Sequence, residues 1–261
     1  MGPIVNRASA LYHYALEQAK HGHPEVVGSP APQTLIVLDG VGGLLFGPLM
    51  VRRAMRLAGC RAATIIFDWH RSFRGDLLCD LMMLNRNKLE AARLVRRILA
   101  IRREDPDTEI HLIGFSGGGG IAVFAAERLP REGLIDTLVL LAPALSPTYD
   151  LTGALRRVRR CYVTTSPRDV FLLGIGTGIF GTIDRKRTRG AGLTGFLRPP
   201  DITSNQVHLY DRLRQIRWTR ELKADGHHGG HTAWASVRYL RRHLPALLHD
   251  KPLTPFHVGA L

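Results

Sequence analysis

The sequence predicts an α/β fold, a mostly parallel sheet with helices on both faces, and three observations point there. Short apolar runs that read as buried strands ("TLIVLDG", "AATIIFDW", "EIHLIGF", "LIDTLVLLAP" and "RCYVTTS") recur along the chain. Helical patterns separate several of them, as right-handed crossovers between parallel neighbours require. Glycine-rich turns stand directly after two of the runs, in "LDGVGG" and "GFSGGGG", at the strand ends where ligands collect in such a sheet.

A helix is expected over about Ser9 to Lys20, and a Pro-rich connection near Ser29 to Pro32 leads into "TLIVLDG". Another helix follows from about Leu44 to Ala58, before the strand "AATIIFDW". Near Lys88 to Arg103, Arg93, Arg96, Arg97, Arg102 and Arg103 alternate with Leu94, Val95, Ile98 and Leu99, the pattern of an amphipathic helix with a solvated arginine face. "EIHLIGF" then runs into Ser116, and Ile121, Ala122, Phe124, Ala125, Ala126 and Leu129 form the apolar face of a helix that Pro130 stops. "LIDTLVLLAP", "RCYVTTS" and, much later, "QIRWTREL" complete the sheet. Residues 1–33 read as a helix and connection packed on the domain, 34–250 as one α/β domain and 251–261 as a tail; 261 residues suffice for one large core.

The formal net charge of +14, from 36 Lys and Arg against 22 Asp and Glu, favours anionic surfaces and substrates. The basic residues are scattered, which reads as solvated faces and gives no specific nucleic-acid site; an anionic lipid surface is the more credible extended partner. Three cysteines without C-x-x-C spacing indicate neither a disulfide framework nor a zinc site and fit a reducing cytoplasm. No apolar run reaches the roughly 18 residues that span a bilayer. Gly176 to Gly181 matches G-x-G-x-x-G, but "TIDRKRTRGAG" follows where a dinucleotide site needs a helix. No cofactor and no metal site is expected.

Gly114-Phe115-Ser116-Gly117-Gly118 is a G-x-S-x-G at a strand-to-helix turn. A serine there is thrust out at the C-terminal end of its strand, and the helix start behind it offers unpaired N–H groups and a positive dipole end. A serine hydroxyl needs a base, and the base needs a carboxylate to hold its tautomer. Asp169 lies just beyond the strand "CYVTTS" and is preferred to Asp184, Asp201 and Asp225. In "DGHHGGHTAW", His231 is preferred to His228 and then His227, which read as exposed or loop-orienting residues. Oxyanion donors are expected from the N–H of Gly117 and, in "LDGVGGLL", from Val41 first and Gly42 second.

With Ser116, Asp169 and His231 in that order, the chain resembles the α/β-hydrolase superfamily from about Thr34 to Leu248. "LDGVGG", "IIFDW", "APALSPTYDL", "GTIDRKRTRGAGLTGF" and "GGHTAW" look similar to a group of poorly characterised bacterial hydrolases, many of them planctomycetal. The resemblance implies an α/β-hydrolase fold with little or no cap, since no large insertion follows "LVLLAP". One departure is Asp39-Gly40, which stands where the superfamily commonly has His-Gly before the oxyanion loop.

These readings converge on a serine hydrolase of the esterase, lipase or thioesterase type, acting on a small-molecule acyl ester or thioester through an acyl-enzyme. A non-catalytic binding protein that keeps the elbow for packing, and an acyltransferase, are the alternatives. "VFLLGIGTGIFGTI" after Asp169 offers one wall for an acyl chain or, more simply, a buried connection. Asp68, Trp69 and His70, and likewise Tyr149 and Asp150, read equally as pocket lining or structural corners.

Overall fold

Alternating side chains give the strands two apolar faces, and each face has its own helices. The computed structural model describes residues 33–70, 77–130, 135–249 and 258–259. The expected N-terminal helix lies outside them. The strands are β1 (Gln33–Leu38), β2 (Ala63–Ile66), β3 (Glu109–Phe115), β4 (Ile135–Leu141), β5 (Val158–Thr165), β6 (Leu213–Arg217) and β7 (Val258–Gly259). They form a seven-stranded sheet in the order β2-β1-β3-β4-β5-β6-β7, parallel from β2 through β6, with β7 antiparallel to β6. This is the strand order of the α/β-hydrolase fold.

The longer helices are α1 (Phe46–Leu57), α2 (Leu84–Glu104), α3 (Gly117–Arg128) and α4 (Val237–Leu248). Ile36, Leu38, Ile110, Leu112, Leu138, Leu140 and Val163 point to one buried cluster, shared with Leu94 and Ile98 of α2 and Ile121 to Ala126 of α3. Leu35, Val37, Ile113, Val139, Leu141 and Ile216 point to the other, shared with Val51 and Ala54 of α1 and Leu240 and Leu244 of α4. At about 25 cal/mol per Å² of apolar surface, burial on both faces is the main stabilising contribution. α3 is buried nearly all round, so its four leading glycines serve close approach: a Cβ at Gly118 would collide with the Asp39 carbonyl and with Leu38.

Strand register sets where the loops after the strands begin. Leu38, Gly114, Leu140, Val163 and Gln215 are partners in one row across the sheet. The segments after β1, β3, β5 and β6 therefore leave the same edge, within a residue or two of one another. The last parallel strand starts earlier and ends earlier than "QIRWTREL" suggests: Trp218 N–H still donates to Thr165 O at 2.7 Å, but Arg220–Asp225 then winds into a 3₁₀ turn. Among the described residues, no helix is long and apolar enough to cross a membrane.

Candidate active site

Ser116 sits between β3 and α3 with φ 51° and ψ −117°, a left-handed excursion that a non-glycine residue adopts only under constraint. The constraint is visible. Ser116 N–H donates to Leu141 O at 2.8 Å, and Ser116 O accepts from Ala144 N–H and Gly119 N–H, each at 3.1 Å. These bonds hold the elbow to the end of β4. A Cβ at Gly114 would lie 2.6 Å from Gly119 Cα, so α3 can start where it does only because Gly114 has no side chain.

The acid and the imidazole come from loops 62 residues apart. Asp169 Oδ2 lies 2.5 Å from His231 Nδ1, with the Asp169 side chain 2 % and the His231 side chain 9 % exposed. The two loops are tied together beneath this contact. Ser166 Oγ donates to Gly229 O at 2.6 Å, and the Arg168 guanidinium stacks over the Trp218 ring 4.7 Å from its centroid. His231 opens a 3₁₀ turn, His231–Ala235, before α4 begins, and its ring lies 5.0 Å from that of Phe115, the residue preceding Ser116. Among the described residues, the Ser116 hydroxyl makes no hydrogen bond to His231 in this structure.

The competing residues are engaged elsewhere. Asp184 accepts from the hydroxyl and the N–H of Ser146, Asp225 pairs with Arg242 and His243, and Asp201 is exposed. His228 is exposed. His227, expected to be exposed or to orient the loop, is fully buried and takes the second role: its Nδ1 accepts from Gly229 N–H at 3.0 Å and its carbonyl from the Trp218 indole at 3.0 Å. Burial pushes the His227 imidazole down to about 4. It is a structural pin of the loop that delivers His231.

The glycine-rich loop after β1 runs directly against the elbow. A Cβ on Gly40 would touch Ser116 Cβ at 3.2 Å, and one on Gly117 would lie 2.7 Å from Val41 Cγ1 and 3.4 Å from Val41 N. The two expected donors on this loop differ in what they are doing. Gly42 N–H donates to Asp80 Oδ2 at 2.7 Å, whereas Val41 N–H has no partner among the described residues. Gly117 is the first residue of α3, where a backbone N–H has no intrahelical acceptor.

A buried ionic clamp that local sequence does not announce fixes this loop. Asp80 accepts from Gly42 and, at 2.6 Å, from Arg86, and its backbone carbonyl accepts from Asn87 at 2.7 Å. His70 Nε2 donates to Gly40 O at 2.9 Å and lies 3.3 Å from Asp80, while Nδ1 faces Asp68 Oδ1 at 3.1 Å. Oxygen at both ring nitrogens suits the imidazolium. Burial alone lowers the His70 pKa, but the Asp68 hydrogen bond and the Asp80 charge outweigh it and leave the value raised. Asp39 accepts from Gly47 N–H at 3.1 Å, and burial raises its pKa despite that bond. Asp68, Trp69 and His70 are thus a corner that braces the loop; Trp69 donates its indole N–H to Asp39 O at 3.0 Å. Tyr149 and Asp150 are likewise engaged, with Glu127 and Tyr210 respectively.

The described side chains of the apolar segment after Asp169 are mixed in burial. Leu173 is buried, but Leu172 is 51 % and Ile179 60 % exposed, and the side chains of Phe171 and Ile175 lie outside the described set.

No protein-family model matches this chain, and no curated protein matches it in sequence. Among solved structures, it is similar to a poly(3-hydroxybutyrate) depolymerase from Bordetella parapertussis, at 14 % identity over 87 % of this chain and 83 % of that one, TM-score 0.49. A lidless α/β serine hydrolase from Xanthomonas campestris gives 18 % identity over 89 % and 88 % of the two chains, TM-score 0.47. A Trichoderma reesei cutinase gives 14 % over 67 % and 81 %, TM-score 0.42. At these values the reaction has to be read from the residues themselves.

Proposed function

We propose that this chain is a serine hydrolase of esters or thioesters that works through an acyl-enzyme and needs no cofactor. The observation that carries the reading is the Asp169–His231 contact, delivered by two distant loops to the sheet edge where the strained Ser116 elbow stands. Ser116 Oγ attacks the acyl carbonyl carbon while His231 Nε2 takes its proton. Asp169 keeps the other proton on Nδ1 and stabilises the imidazolium. The N–H groups of Gly117 and Val41 receive the carbonyl oxygen as it gains negative charge, an effect worth about 3 kcal/mol for one such donor. His231 then protonates the leaving alcohol or thiol, and a water deprotonated by the same imidazole attacks the acyl-serine and frees the acid. For this chemistry the Ser116 and His231 side chains close to hydrogen-bond distance when substrate binds, as catalytic contacts commonly do.

A fluorophosphonate probe is expected to label the wild-type chain once, at Ser116, with labelling lost in Ser116→Ala and slowed by orders of magnitude in Asp169→Asn. Absence of labelling, or labelling at another residue, would falsify the reading and favour the binding protein that keeps the elbow only for packing. If Ser116 labels and acyl products form, competing alcohols or thiols separate hydrolysis from acyl transfer.

A further inference from the structure

Beside the segment that carries Asp169 lies a cavity of about 480 Å³ whose lining residues include none of Ser116, Asp169 and His231. Pro167, Val170 and Leu193 line it with apolar surface, Thr165 closes one side, and Arg189 and Arg217 reach it from two different elements. Arg217 ends β6 as the register partner of Thr165, and Arg189 belongs to the loop that leads into the short helix Ala191–Thr194.

The two arginines differ from those that the fold itself has paired. Arg86, Arg93, Arg159 and Arg242 each have a carboxylate partner, and Arg168 covers Trp218. Neither Arg189 nor Arg217 has a hydrogen bond, ion pair or ring contact to another described residue. No carboxylate is among the described residues that line the cavity, and Asp169, which follows Pro167 by two residues, is occupied by His231. The two guanidinium groups are exposed, and together beside the apolar side chains they concentrate positive potential in a space of ligand size. Guanidinium is also the cation whose forked donors match carboxylate and phosphate oxygens in pairs.

We propose that this cavity binds an organic anion, a carboxylate or a phosphorus oxyanion on a short apolar chain. Arg189 and Arg217 hold the charged head, and Val170 and Leu193 cover the chain. The site stands apart from the hydrolase reading, and binding there requires no bond to break.

The test is calorimetric titration of the full chain with hexylphosphonate, hexanoate, inorganic phosphate and 1-hexanol. None of these offers a serine hydrolase an ester to cleave. At least one hexyl anion is expected to bind with one-to-one stoichiometry, about tenfold more tightly than both phosphate and hexanol. Which of the two binds better identifies the head group. Arg189→Gln/Arg217→Gln should weaken that anion about tenfold and leave hexanol unchanged. Arg56→Gln/Arg61→Gln removes the same net charge from exposed positions elsewhere and should change binding less than about twofold. Should the double variant melt abnormally, Arg189→Gln alone, an exposed loop position, gives the same reading at a smaller loss. Hexyl anions binding no better than hexanol, phosphate binding as well as hexylphosphonate, or equal losses in the two charge variants would each overturn the proposal. Loss of binding with Ser116 labelling intact removes this site alone.

Discussion

Gly114→Ala places one methyl group where strand and helix are closest, and its consequences can be worked from the geometry. The new Cβ would lie 2.6 Å from Gly119 Cα and 2.7 Å from both Gly118 O and Gly119 N. All three are backbone atoms, so no rotamer change relieves the contact. Because carbon contacts are optimal near about 3.5 Å, the start of α3 has to retreat by about 1 Å. Overpacking of this kind costs about 1–3 kcal/mol, and contact with main chain puts it at about 3. Reduced freedom of the unfolded chain returns about 0.4–1 kcal/mol, leaving a net loss of about 2. For a chain of this size that lowers Tm by about 4–8 °C. The shift also carries Ser116 and the Gly117 N–H away from Val41, and a 1 Å misplacement slows fluorophosphonate labelling by about 100-fold. Gly178→Ala is the control: nothing lies within 4 Å of its added Cβ, so stability should be unchanged or rise by up to about 1 kcal/mol. Thermal melts and labelling rates of the two variants decide it. If Gly114→Ala melts with wild type and labels at the same rate, the argument from close approach is wrong.

Asp80→Asn removes the charge that Arg86 and the Gly42 N–H share, and should cost about 3 kcal/mol in urea unfolding and slow labelling by loosening the Val41 loop. The same variant should flatten one pH dependence: the raised pKa of His70 gives stability that is fully present below about 6.5 and is lost as pH rises through the folded value. An unchanged slope in Asp80→Asn would detach His70 from the clamp. On the acid side, burial holds His111 and His227 at about 4, so the stability of their neutral forms is present above about 6.5 and disappears as pH falls through 4. Each contributes about 3 kcal/mol to that acid limb, and His111→Leu should make it shallower in urea midpoints taken between pH 7 and 4. Glu127, which burial pushes up to about 7, acts oppositely: its contribution is present below about 4.5 and lost as pH rises through 7, so Glu127→Gln should stabilise the chain at pH 8 relative to wild type.

The parts legible in the sequence are those whose cause is local. Ser116 could be read from twenty residues, because strand, glycines and helix follow one another without interruption and the turn's steric demand falls on its own neighbours. The meeting of Asp169 and His231 was legible by position, since each follows a strand that ends at the same edge of the sheet. The choice among three histidines turned on packing. His227 is buried under Trp218, Trp234 and Tyr239, residues whose convergence depends on α4 folding back over the sheet. The Asp80 clamp left no local trace, because its acceptor and the Gly42 N–H are separated by 38 residues. Asp39-Gly40 shows only as a departure from a pattern, with nothing to say that Asp80, Arg86 and His70 brace the loop beside it. The run from Val170 to Ile183 is mixed, with Leu173, Thr177, Thr182 and Ile183 buried. Its apolar content suggests an interior wall, yet its π turn and the following short helix leave Leu172 and Ile179 half in solvent.

The order of strands along the chain has a consequence for synthesis. A growing chain delivers its N-terminal elements first, so β1, β3 and α3 are available long before the residues that follow β6. The elbow can be fastened as soon as β4 supplies the Leu141 carbonyl, but the imidazole that would activate its hydroxyl belongs to a segment still inside or beyond the ribosome. During that interval the nascent protein carries a shaped elbow with no imidazole beside it. The Asp169–His231 contact then forms late, when the loop pinned by Ser166 and Trp218 docks. If the proposed reaction holds, a chain released before residue 231 lacks the imidazole and forms no acyl-enzyme.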